Sequence, residues 1–152
     1  MGGALGSGLL VIVIFGSSAL TANVSGGTVV QPGHTYLQAG VAEALGTALL
    51  LFTIMALAVD ARAPTGWAGL VIGLVVACEI MVIGPISNGS VNPARTFGPY
   101  AATTIFGGHT PWQEFWLYWV GPVIGAVVAE AYVFVAHPQP STPPPGRTPE
   151  AE

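Results

Sequence analysis

Residues 85–106 read PISNGSVNPARTFGPYAATTIF. The stretch is too polar for a helix that spans a membrane and too apolar for an ordinary exposed loop. Within it, Asn92 is a good N-cap, and Pro93 suits the first helical position, where a missing N–H is one of the unpaired groups anyway. The helix this predicts covers residues 92–104 and fades at Thr103-Thr104, ahead of Gly107-Gly108. Some twelve residues at ~1.5 Å rise give roughly 18 Å, about half of a bilayer's hydrocarbon thickness. A half-helix is tolerated at membrane depth only where its exposed backbone faces protein or a water-filled path, so the stretch reads as a re-entrant element. Arg95 lies inside it, and an arginine at that depth is costly and usually functional.

The surrounding chain supports a membrane setting. Of its 152 residues, 52% are hydrophobic and 7% charged, against the ~25% charge of an average soluble domain. It has no lysine, which argues against a nucleic-acid partner. Cys78, the single cysteine, stands in an apolar run and reads as a small packing residue. Four apolar segments are long enough to cross a bilayer: about 2–19, 37–59, 67–84 and 115–136. The first carries no Lys or Arg ahead of its apolar part, so it reads as a membrane helix rather than a secretion signal. It begins directly at Met1, as though cut within a helix.

Ser17 to Tyr36, rich in Ser, Thr, Gly, Asn and Pro, is expected to be a solvent-exposed loop, and Asp60 to Gly66 a tight turn. Residues 138–152 are Pro-rich and lack apolar side chains to bury, so a disordered tail is expected after a membrane domain of residues 1–137. Arg62 and Arg147 both fall on the cytoplasmic side if the 92–104 segment is re-entrant, which makes the chain a multi-pass protein with a cytoplasmic C-terminus. Small residues four apart (Gly2 and Gly6, Ala42 and Gly46, Gly69 and Gly73, Gly121 and Gly125) predict close helix crossings. The fold class is therefore an all-α membrane protein of about three to four transmembrane helices plus one half-helix.

The run Gly89-Ser90-Val91-Asn92-Pro93-Ala94-Arg95-Thr96-Phe97-Gly98-Pro99 strongly resembles the second Asn-Pro-Ala box of the aquaporin, or major intrinsic protein, family. Glu43 resembles the glutamate of the family's fourth helix. Tyr118-Trp119 followed by Gly121-Pro122 resembles the start of its sixth, and Gly2 to Phe15 the outer part of its third. The resemblance implies half of an aquaporin-like fold, since the family joins two inverted halves with one box each and only one box stands here. The chain thus reads as an N-terminally truncated member. It further implies passive transport of water and small neutral solutes, no cofactor, homotetramers when the channel is complete, and the plasma membrane as the location.

In the family the half-helix turns its free N–H groups and positive dipole end toward the pore, and the amide of Asn92 adds donors. Arg95, one turn on, adds a permanent charge. By alignment on the box, the narrowest point is lined by Ile80, twelve residues before Asn92, by Gly89 and by Arg95, with Asn88 and Ser90 supplying pore-loop carbonyls. Ile80 stands where water-selective members often have histidine, which implies a wider filter. Thr96 replaces the aspartate of glycerol facilitators, and the Tyr118-Trp119 pair is typical of the water branch. Together these favour water with small neutral solutes.

Three further carboxylates fall in membrane segments. Buried carboxylates can serve a proton relay or cation site. The resemblance gives Glu43 a structural role organising the box loop; Glu79 is expected to support the same loop, and Glu130 to reach lipid headgroups. His34, His109 and His137 have no metal-ligand spacing. Two other classes compete with a channel. One is a non-conducting membrane interaction subunit or gene fragment. The other is an intramembrane enzyme, for which no nucleophile or carboxylate pair has a plausible partner.

Overall fold

The structure is a computed structural model that describes residues 13, 14, 16, 26–60, 62–64 and 66–136. The expected helix at 2–19, its Gly2 and Gly6 pair, and the tail at 138–152 lie outside the described residues but for fragments of the first. Every regular element among the described residues is helical, and three helices are long and apolar enough to cross a membrane: Tyr36–Val59, Ala68–Ser87 and Trp112–Val135.

Helix α1, Tyr36–Ile54, opens on a capping box. Thr35 Oγ1 accepts from Gln38 N at 3.2 Å while Gln38 Oε1 accepts from Thr35 N at 2.8 Å, so two orphan donors are satisfied reciprocally. The helix widens to a π turn at Met55–Val59 and stops at Asp60. Asp60 then accepts from the backbone N–H of Arg62 and pairs with its guanidinium at 2.6 Å. That contact pins the turn and raises the Arg62 pKa above its usual value, the hydrogen bond to Asp60 being the main cause.

Helix α2, Ala68–Ser87, runs three residues past the expected stop at Gly84. Pro85 does not end it at once, and the helix continues for two residues beyond it. The chain leaves at Asn88, whose left-handed backbone (φ 64°) closes the helix with Asn88 N donating to Gly84 O at 2.9 Å. Helix α3, Pro93–Ile105, is 13 residues long, or roughly 20 Å. A short 3-10 turn, Trp112–Glu114, leads into α4, Leu117–Ala136.

Helix α1 packs chiefly on α4 and then on α2. Close approach to α4 depends on Gly121 and Gly125: a Cβ on Gly121 would stand 2.8 Å from Glu43 Cβ, and one on Gly125 would run into Ala44 O and Ala48 N. Gly46 meets α2 in the same way, with Ile83 Cδ1 at 2.8 Å from its missing Cβ. Gly69 and Gly73 face open space, so that spacing does not mark a crossing among the described residues. Large apolar side chains such as Leu45, Met81 and Phe134 are exposed, the surface expected of helices whose solvent is hydrocarbon.

Candidate functional site

The site forms where the α2–α3 loop folds back onto α1. Residues Asn88, Gly89 and Val91 all have positive φ (64°, 58° and 46°), and for the β-branched Val91 this is an uncommon, strained conformation. Glu43 holds it in place. Fully buried on α1, its Oε1 accepts from Ser87 Oγ at 2.6 Å and Ser90 N at 2.8 Å, and its Oε2 from Val91 N at 2.6 Å. One carboxylate thus gathers three donors from the loop that would otherwise be buried without partners.

Glu79 does not share this work. It occupies the α2 stripe with Ile83 and Ser87 that faces α1, and it is 4% exposed. Neither of its oxygens has a hydrogen-bond partner among the described residues, and the hydrogen bonds to the loop come from Glu43. Tyr118 contributes instead: fully buried at the start of α4, its O–H donates to Ser87 O at 3.1 Å.

At the head of α3, Asn92 Oδ1 accepts from Ala94 N at 2.9 Å. The carbonyl end of the side chain is committed to the helix, and its NH2 is the end that can donate elsewhere. Asn92, Ala94 and Arg95 lie on the exposed side of α3, whereas Thr96, Gly98 and Tyr100 are buried. Ile80, 47% exposed, abuts Gly89: a Cβ on Gly89 would stand 3.4 Å from Ile80 Cα. The structure therefore brings Ile80 and Gly89 together beside the loop that leads to Asn92, Pro93 and Arg95.

The guanidinium of Arg95 finds a different carbonyl from those of Asn88 and Ser90. Its Nη1 donates to Gly26 O at 2.7 Å. Asn88 acts through its side chain, Oδ1 accepting from Val29 N at 3.1 Å and Gln31 Nε2 at 2.6 Å, and Ser90 acts through its amide and hydroxyl.

The expectation of a solvent-exposed loop before α1 thus needs correction for residues 27–31, which are buried or half-buried. Thr28 is fully buried, and the segment is strapped across the box: Tyr100 O–H donates to Thr28 O at 2.6 Å, Val30 N to Glu114 Oε2 at 2.9 Å, and Gln31 N to Ile86 O at 2.9 Å. Its backbone N–H and C=O groups are bonded to distant residues rather than left to water. Thr96 does more than stand in place of the aspartate of glycerol facilitators. In the structure it is a buried hydroxyl between Thr28 Oγ1 (2.7 Å) and Ser90 Oγ (2.6 Å).

A family model described as major intrinsic protein matches residues 1–134. The chain belongs to the major intrinsic protein family. Among its relatives, Aquaporin AqpM of Methanothermobacter marburgensis is 48% identical over 129 residues, 85% of this chain and 52% of that protein. Probable aquaporin AqpM of Archaeoglobus fulgidus is 50% identical over the same shares, and Aquaporin TIP2-2 of Zea mays is 40% identical over 80% of this chain and 44% of its own length. The chain spans about half the length of the curated relatives it matches. With three apolar spans among the described residues, this makes it an integral membrane protein carrying half of the aquaporin-like fold.

Proposed function

We propose that the chain supplies one wall of a passive channel for water and small neutral solutes. The observation that carries this reading is the joint placement of Asn92 and Arg95: a capped half-helix presents an amide donor and, one turn on, a fixed cation on the same exposed side. Water meeting the free N–H groups and positive end of α3 accepts hydrogen bonds there, and the same field repels cations. Pro93 and Ala94 begin the helix and keep its entrance small. Ile80 and Gly89 give the neighbouring wall an apolar side and room, and the loop of Asn88 and Ser90 turns carbonyl acceptors toward the path. The complete channel works as a homotetramer in the plasma membrane with its C-terminus in the cytoplasm, and acts as a channel rather than an enzyme.

Filter and positioning roles are separated by substitution in a channel completed with the first half of Aquaporin AqpM of Methanothermobacter marburgensis. Ile80→His introduces a donor and bulk at the narrow point, so urea and glycerol flux should fall more than water flux in the same vesicles. An unchanged solute-to-water ratio would show that Ile80 lies off the narrowest point.

Arg95→Val removes a charge from a low-dielectric site. Water flux is expected to stay within a few fold, about 1 kcal/mol on the barrier, while larger solutes and some protons pass. Joint loss of abundance and flux would sink the filter assignment for Arg95.

A further inference from the structure

We propose that Thr28 is a positioning residue for Arg95. The contact Arg95 makes is with Gly26 O, and Gly26 (φ 72°) is followed by another glycine, Gly27, so the chain on that side has little stiffness of its own. The first firm anchor is Thr28, and it is anchored twice. Its carbonyl accepts from Tyr100 O–H at 2.6 Å, and its hydroxyl meets Thr96 Oγ1 at 2.7 Å. Both partners are on α3, with Thr96 next to Arg95 and Tyr100 five residues beyond, so Thr28 fixes the Gly26 carbonyl relative to the helix that bears the guanidinium.

The hydroxyl contact also has a direction. Ser90 Oγ donates to Asn92 O at 2.8 Å and therefore accepts from Thr96, which in turn accepts from Thr28. Thr28, Thr96 and Ser90 are 0%, 0% and 3% exposed, so no solvent replaces a missing member. A donor relay thus runs from the strap through α3 to the carbonyl of the capping Asn92, and it ends at the residues on which the proposed function rests.

The test uses the full chain in lipid nanodiscs. With no lysine and three arginines, Arg62, Arg95 and Arg147, 15N-arginine labelling gives three guanidinium groups, and Arg95→Lys assigns the relevant one. In the wild type, rotation of the Arg95 guanidinium should be restricted. Thr28→Val keeps the shape and removes the donor, and should speed that rotation and the amide exchange at Val29 by about tenfold, the scale of a lost buried hydrogen bond. Thr28→Ser should behave as wild type.

Tyr100→Phe, which keeps the relay and removes the second anchor, should free Arg95 by a smaller factor and serves if Thr28→Val does not fold. An Arg95 unaffected by both variants, or freed equally by Thr28→Ser, overturns the proposal. This readout does not require conduction. A freed Arg95 in Thr28→Val with an unchanged urea-to-water ratio in the completed channel would uphold the positioning role and overturn the filter reading.

Discussion

Glu43→Gln should dismantle the box loop while leaving the helices in place. The carboxylate accepts from Ser87 Oγ and Ser90 N on one oxygen and from Val91 N on the other. A glutamine can serve one of these sides, but its NH2 then meets an N–H on the other, donor against donor. Hydrogen bonds to a charged acceptor contribute ~1.5–3 kcal/mol each, and Val91 must also hold a backbone conformation that is unfavourable without its partner. A loss of about 3–5 kcal/mol in loop stability follows, larger than for any other single polar change here. Hydrogen exchange at Ser90 and Val91 should rise by two orders of magnitude or more, with exchange inside α1 and α4 unchanged. Retained protection at both amides would show that the loop is held by something other than Glu43.

Gly125→Val is expected to be the most damaging apolar change. The new Cβ would fall on Ala44 O and Ala48 N, atoms of the α1 backbone that no side-chain rotation can clear, so α4 must move away from α1. Such overpacking costs typically 1–3 kcal/mol, and here about 3 kcal/mol or more because backbone rather than side chain must give. Gly69→Ala and Gly73→Ala are the internal controls, since a Cβ at either meets nothing within 4 Å among the described residues. Their unfolding midpoints in a detergent titration should stay within ~0.5 kcal/mol of wild type. Equal losses for Gly125 and Gly73 would contradict the packing described for α1 and α4.

How much of this could be read from the sequence depends on how local each signal is. The start of α3 follows from neighbours: Asn92 caps and Pro93 fits the first turn, and both rules act within a few residues. Spans of apolar residues likewise declare themselves by length. The strap at 27–31 was illegible because Gly27, Thr28 and Gln31 look the same whether they and the backbone beside them bond to water or to partners 57 to 84 residues away. The fate of the two glutamates was only half legible for a related reason. The family's pattern marks Glu43, whereas Glu79 is placed by helix phase, and phase tells which way a side chain points but not whether a donor awaits it. Small-residue spacing had the same weakness: among the described residues Gly121 and Gly125 lie at a crossing and Gly69 and Gly73 do not, though the spacing is identical.

Ile80, Asn92 and Arg95, to which the proposal gives the pore side, are exposed in this chain, and in a two-sided channel they would face an opposing wall. Stopped-flow osmotic swelling of vesicles holding the completed channel, compared with the 152-residue chain alone and with lipid alone, tests the central claim most directly. The completed channel should raise water permeability well above lipid in proportion to protein incorporated, with the chain alone close to the lipid value. Lipid-level permeability from a completed channel that is inserted and folded would contradict the account, and so would full conduction by the chain alone.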